Sequence, residues 1–205
     1  PIVVRQMGVD NGLTQFLANG GESDEMYFQG SIEKSKIQTF FNYIIVGFEH
    51  IIPKGWDHIV FVLGLFFFSS KLKPLVWQIS AFTLAHTCTL ALGSLGYIKI
   101  IPEIVEPLIA LSIIIISVEN IFIKKLSRWR SLVIFIFGLL HGLGFASVLG
   151  EFGLPVGFFV PALIGFNLGV EFGQLTIVLL AFIFVGYWFN KKNYYKSSIA
   201  QPISA

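Results

Sequence analysis

Residues 103–123 read EIVEPLIALSIIIISVENIFI and run directly into the basic segment KKLSRWR at 124–130. The core of this stretch is continuously apolar, with no alternation and no polar face, and it is bounded on one side by Pro102 and on the other by a cluster of cations. Crossing ~30 Å of hydrocarbon takes ~20 helical residues, and this stretch supplies that length. It reads as a membrane-spanning helix, and the rest of the chain repeats the pattern.

Outward from it, similar segments cover about 37–52, 56–70, 75–97, 131–149 and 157–188. The first two are short for a crossing and are separated by Pro53-Lys54-Gly55, so a tilted hairpin or one helix broken at Pro53 is expected there. Composition agrees: hydrophobic residues are 55% and charged residues 13% of 205, against about 25% charge in soluble domains. Mean hydropathy is +0.77. The 22 Phe are too many to hide in one small aqueous core. The expected fold class is all-α, a polytopic transmembrane helix bundle of about six hydrophobic helices. Residues 31–189 form the transmembrane domain and residues 190–205 a polar cytoplasmic tail.

Residues 1–30 differ from the rest. They carry Asn-Gly at 11–12, Asn-Gly-Gly at 19–21 and the acidic run Glu22 to Glu25, with no apolar stretch long enough for a signal peptide. The ending Tyr27-Phe28-Gln29-Gly30 is similar to the tail of a viral protease cleavage site. This segment is read as an extramembrane stub or an expression remnant, outside the functional argument.

Basic residues set the expected orientation. Segments 71–73, 124–130 and 191–196 hold two, four and three Lys/Arg, whereas 53–55, 97–106 and 150–156 hold only Lys54 and Lys99. This places the C-terminus in the cytoplasm and leaves the side of residue 36 dependent on whether the first helix crosses. Trp56, Trp77, Trp129 and Trp188 near span ends read as interface anchors. The 14 Lys and Arg form no stripe with interleaved aromatics, which excludes a nucleic-acid surface. The lone Cys88 excludes an intrachain disulfide and a thiolate metal cluster and reads as a small core residue. Gly142-Leu-Gly144 lies inside a span with no strand before it, so it is not a phosphate loop.

Function is carried by polar groups inside the spans, where an ionisable side chain costs ~2.5–3.5 kcal/mol on insertion scales and is rarely without a role. All four histidines lie in hydrophobic segments or at their edges. Glu49-His50 precedes the Pro-Lys-Gly break and Asp57-His58 follows it, a pair expected toward the non-cytoplasmic face. His86, flanked by Thr83 and Thr87, and His141 lie mid-span. Asn167, Glu171 and Gln174, spaced i, i+4, i+7, make one polar stripe on the last helix. His86, His141 and Glu171 are expected to meet at one depth, with Gly138, Gly142, Gly144, Gly165 and Gly169 letting the fifth and sixth helices approach closely. Imidazoles with a carboxylate suit a first-row divalent metal: nickel, cobalt or zinc. Glu119, beside the basic loop, is expected to pair with Lys124 or Arg128.

Five motifs, Gly47-Phe-Glu-His50…Gly55-Trp-Asp-His58, Phe82-Thr-Leu-Ala-His86-Thr, Val118-Glu-Asn120, Phe137-Gly-Leu-Leu-His141-Gly-Leu-Gly-Phe-Ala146 and Phe166-Asn-Leu-Gly-Val-Glu171-Phe-Gly-Gln174, together resemble the HupE/UreJ family of bacterial membrane proteins over about residues 40–188. The resemblance implies a multi-pass protein of the bacterial inner membrane that takes up nickel, cobalt or another divalent metal. The family signature has five residues between the first His and Asp-His, and this chain has six. If the segment were helical, the extra residue would turn His50 by about 100° away from Asp57-His58.

Three functions are compatible with these residues. One is a divalent-metal permease with His50, Asp57, His58, His86, His141 and Glu171 as ligands, and Glu49, Thr83, Thr87, Glu119, Asn167 and Gln174 supporting. It is expected to use polar sites at two depths. The second is an intramembrane metal-dependent hydrolase of lipid or peptide, needing three ligands, an open position and a base, the base being Glu171 or Asp57. The third is a non-catalytic membrane subunit whose polar network fixes packing. The lipid bilayer and a metal ion are the expected partners.

Overall fold

The computed structural model describes residues 2–5, 14–17, 35–69, 71–98, 101–122, 129–152 and 157–186. Among these residues six helices follow one another: α1 (Lys36–Ile51), α2 (Trp56–Phe68), α3 (Leu72–Ser94), α4 (Pro102–Phe122), α5 (Arg130–Phe152) and α6 (Phe159–Ala181), the last continuing as a π-helical turn, Phe182–Gly186. Within the N-terminal segment, β1 (Ile2–Arg5) and β2 (Thr14–Leu17) pair antiparallel, Ile2 opposite Leu17 and Arg5 opposite Thr14. The helical bundle is therefore as expected, with a small hairpin ahead of it.

α3, α4 and α6 are each long and apolar enough to cross a membrane, and α5 adds an apolar helix over Arg130–Ala146. α1 and α2 meet that test only as a pair, bent by 73° at the break between them. The chain is thus interrupted between α1 and α2 at Pro53-Lys54-Gly55, where the break was expected. α1 begins at Ser35, whose Oγ accepts from the backbone N–H of Ile37 while Gln38 Oε1 accepts from the Ser35 N–H, a capping box. It stops because Pro53 has no N–H and Gly55 turns the chain back: the Gly55 N–H donates to Ile51 O at 3.1 Å. A Cβ on Gly55 would press on the His50 carbonyl oxygen.

α3 packs most extensively on α5, and α1 on α6. Both contacts depend on glycine. A Cβ at Gly142 would run into the His86 carbonyl oxygen and Thr89 Oγ1, and one at Gly47 into the Phe166 carbonyl oxygen. The glycines expected to join α5 to α6 serve other pairs: Gly138 and Gly142 meet α3, Gly144 meets α4, and Gly165 and Gly169 meet α1. Close backbone approach substitutes for the hydrophobic drive that lipid does not supply between helices. Many large apolar side chains, such as Ile114, Phe122, Ile164 and Phe184, lie exposed on the outer surface, as lipid-facing residues do. Cys88 is exposed on α3 rather than in the core.

Near one end of the bundle, Arg130 is buried at the start of α5 although the sequence groups it with the loop cations. Its Nη1 lies 2.8 Å from Glu119 Oε2, its Nη2 donates to Asn120 Oδ1 at 3.0 Å, and its guanidinium stacks 3.9 Å over the Phe68 ring. Asn120 Nδ2 in turn donates to Gly64 O at 2.8 Å. Glu119 thus pairs with Arg130; the expected partners Lys124 and Arg128 lie outside the described residues. This network ties α2, α4 and α5 together.

Candidate metal site

His86, Ser112, His141 and Asn167 sit near the midpoints of α3, α4, α5 and α6. The break between α1 and α2 lies at the same level, because His50 and His58 flank it and both pack on these residues. Ring centroids are 5.1 Å apart for His50 and His58, 5.0 Å for His58 and His141, 5.8 Å for His58 and His86, and 6.3 Å for His50 and His86. All four histidines therefore form one cluster at one depth, not a midplane pair and a separate pair toward one face.

His50 belongs to it despite the extra residue before Asp57. The expected rotation holds only for a continuous helix, and the chain leaves the helix at Ile52, whose backbone is extended. Trp56 follows from the same geometry: it lies at the mid-bundle break with 72% exposure, not at a span end. Trp77 and Trp129 are exposed near the starts of α3 and α5, and Trp188 lies outside the described residues.

Hydrogen bonds fix which nitrogen His58, His86 and His141 turn inward. His58 Nδ1 donates to Asp57 Oδ1 at 3.1 Å. His86 Nδ1 donates to Asn167 Oδ1 at 3.2 Å, since a carbonyl oxygen only accepts. Ser112 Oγ already donates to Ile109 O at 2.7 Å, so at 3.3 Å it accepts from His141 Nε2. Each of these imidazoles spends its N–H on an outer partner and turns a lone pair toward the others. The remaining atoms, His58 Nε2, His86 Nε2, His141 Nδ1 and His50 Nε2, are buried with no hydrogen-bond partner among the described residues.

Four orphaned imidazole nitrogens in one place are costly unless something binds them. Ligand atoms of His50, His58 and His86 lie within 4.8 Å of one another, as do those of Asp57, His58 and His141. Asp57 Oδ2 lies 3.6 Å from His141 Nδ1, so a carboxylate oxygen faces a lone pair, a contact that a cation between them would make attractive. The donor set, imidazole with one carboxylate and outer partners on the second ring nitrogen, fits a divalent transition metal.

Phe61, Phe82, Phe145 and Phe166 wall the cluster: the Phe145 ring is 4.0 Å from that of His50, and the Phe82 ring 5.0 Å from that of His141. Such walls keep out water and strengthen electrostatic interactions inside. The Asp57 side chain is 39% exposed, which makes it the outermost of the ligand candidates. An open apolar groove lined by Lys36, Phe40, Phe41 and Pro161, at the N-terminal ends of α1 and α6, is remote from this site.

Of the other residues expected at the site, Asn167 orients His86. Glu171 does not join the histidines: it is half-buried on α6 and accepts a 2.6 Å hydrogen bond from Ser80 Oγ. Thr83 Oγ1 donates to Gln174 Oε1 at 3.2 Å, and Thr87 Oγ1 to its own helix at Thr83 O. Glu49 pairs with Lys54 at 3.0 Å, both exposed. Ser112 and the four phenylalanines belong to the site and were not anticipated; a serine in an apolar helix, the only signal for Ser112, is common without a role, as Ser117 on the same helix illustrates by bonding its own backbone.

A family model described as HupE / UreJ protein matches residues 26–205. No curated protein and no solved structure matches the chain.

Proposed function

The chain belongs to the HupE/UreJ family, and on that premise we propose that it is a permease for a divalent transition metal such as nickel or cobalt. The ion is the cargo, held midway by His50, Asp57, His58, His86 and His141. The single observation that carries this reading is the junction of four inward-facing imidazole nitrogens with a broken helix.

Transporters commonly build their site near the bilayer midplane from discontinuous helices and move the protein around a fixed site. The 73° bend between α1 and α2 supplies both elements: ligands on either side of the break, and a joint about which α2 can shift. The histidine cluster at one depth supports transport by alternating access about that cluster, where polar sites at two depths were expected from sequence. The family's association with nickel uptake and the basic segments at 71–73, 124–130 and 191–196 support import across a bacterial inner membrane with the C-terminus in the cytoplasm. Acidification weakens imidazole–metal bonds, since the ligands bind only when neutral, and so assists release.

One observation favours a second reading. Asp57 is partly exposed beside three buried histidines, the layout of a metal-dependent hydrolase with an outer carboxylate as base. Uptake of radiolabelled nickel, cobalt and zinc into proteoliposomes separates the two. The permease reading expects uptake by wild type and none above empty liposomes for the His86→Ala, His141→Ala double variant. Absence of uptake for every ion, with metal nevertheless bound, would turn the assignment to hydrolysis.

A further inference from the structure

Glu171 stands apart from every other acidic side chain in the interior of the described helices. Glu119 has Arg130, and Asp57 lies against His58 and His141. Glu171 has only the hydroxyl of Ser80, and among the described residues no basic group forms an ion pair with it. Carboxylates within membrane spans, unless paired, mark ion or proton paths.

Its surroundings form a continuation of the histidine cluster. Asn167, which holds His86, is one helical turn from Glu171 on the same face of α6, and Gln174 is one turn further. Across the α3–α6 contact, Ser80 and Thr83 face this stripe, each with a hydroxyl bonded to it. Gln174 is fully buried and its Nε2 has no partner among the described residues. The amide nitrogen and oxygen of such a side chain exchange places by rotation, so Gln174 has one polar atom to spare toward the seam. α1, α2 and α3 pack on α6, and among the described residues none of their titratable groups (Lys36, Tyr43, Glu49 and His50; Asp57 and His58; Lys73 and His86) forms a hydrogen bond or ion pair with Glu171.

We propose that Glu171, Ser80 and Gln174 form a second cation-accepting station, built from oxygen donors, that receives the metal ion as it leaves the histidines toward the end of the bundle carrying Lys71 and Lys73. The inference rests on the permease reading and adds the direction of travel within the protein. Oxygen ligands hold a late first-row ion more weakly than imidazoles do, which suits a station for release. Ser80 Oγ donates to Glu171 and so keeps its own lone pairs free to turn toward an ion held by that carboxylate.

The test compares wild type, Glu171→Gln and Glu171→Asp in two measurements: equilibrium metal binding by purified protein, and metal uptake by proteoliposomes with nickel or cobalt as the probe. The expected result is wild-type metal stoichiometry in Glu171→Gln with uptake slowed about ten-fold or more, partly restored in Glu171→Asp. Uptake by Glu171→Gln within about two-fold of wild type overturns the station, as does loss of binding in step with uptake, which would make Glu171 part of the first site or of the fold. Uptake that is normal down a metal gradient but no longer responds to an imposed proton gradient also overturns it, since Glu171 would then carry protons. If wild-type liposomes take up no metal, the permease reading falls and the station falls with it; a failure in the variants alone removes only the station.

Discussion

Asp57 Oδ2 lies 3.6 Å from His141 Nδ1, joining the first turn of α2 to the middle of α5, while Oδ1 of the same carboxylate accepts from His58 Nδ1 at 3.1 Å. One side chain therefore orients one imidazole and faces the lone pair of another. Asp57→Asn keeps the shape and an acceptor for His58 but removes the charge. Metal affinity, read by competition with a chelator, is expected to fall about 10–100-fold with the bundle intact by circular dichroism. An unchanged affinity would remove Asp57 from the site.

His58 is common to both groups of candidate ligands, whereas His50 and His141 each appear in one. His58→Ala should therefore abolish metal binding, and His50→Ala or His141→Ala should leave a weaker site. Metal content after dialysis against graded chelator ranks the variants; a His50→Ala variant worse than His58→Ala contradicts the arrangement.

Proton competition gives the sign of the pH dependence. The imidazoles bind metal in the neutral form, so binding is complete at mildly alkaline pH and weakens on acidification. Titrations at several pH values measure it, and loading at acid pH should release protons to the buffer. Affinity that rises on acidification would exclude histidine ligation.

Gly142 has no room for a side chain, because a Cβ would run into the His86 carbonyl oxygen. Gly142→Ala forces α3 and α5 apart, an overpacking cost of about 1–3 kcal/mol, and shifts the backbone that carries His86. Lower thermal stability in detergent together with weaker metal binding is expected. Gly96, with nothing near its Cβ position but φ +77°, is a control: Gly96→Ala strains a turn and leaves metal binding alone.

Glu119→Gln leaves the buried Arg130 guanidinium without its counter-charge. Removal of one partner of a buried pair costs about 3–5 kcal/mol, so melting temperature should drop while the metal affinity of the folded fraction stays at the wild-type value. The joint replacement Glu119→Leu, Arg130→Met should recover part of the loss. A metal affinity that falls with Glu119→Gln would mean that the network at the end of α2 acts on the site.

Much of this was legible in the sequence because hydrophobic length and mid-span histidines are local signals. The six helices, the break at Pro53, and the placing of His86 and His141 mid-span follow from them. What was hidden depends on how helices meet. Helical arithmetic moved His50 away from Asp57-His58, yet the extended residue Ile52 and the turn at Gly55 return it. Equal depth suggested Glu171 for the histidine site, but depth does not tell which face of α6 meets which neighbour, and Ser80 takes it. Arg130 reads as one more loop cation, and only the approach of α2 and α4 buries it.

The most direct test of the central claim is the metal content of purified protein, wild type against His58→Ala, after loading with nickel, cobalt or zinc and removal of loosely held ions. The account predicts one ion per wild-type chain and none in His58→Ala. A wild type that retains no metal under any loading condition, or a His58→Ala variant that retains as much as wild type, would contradict it.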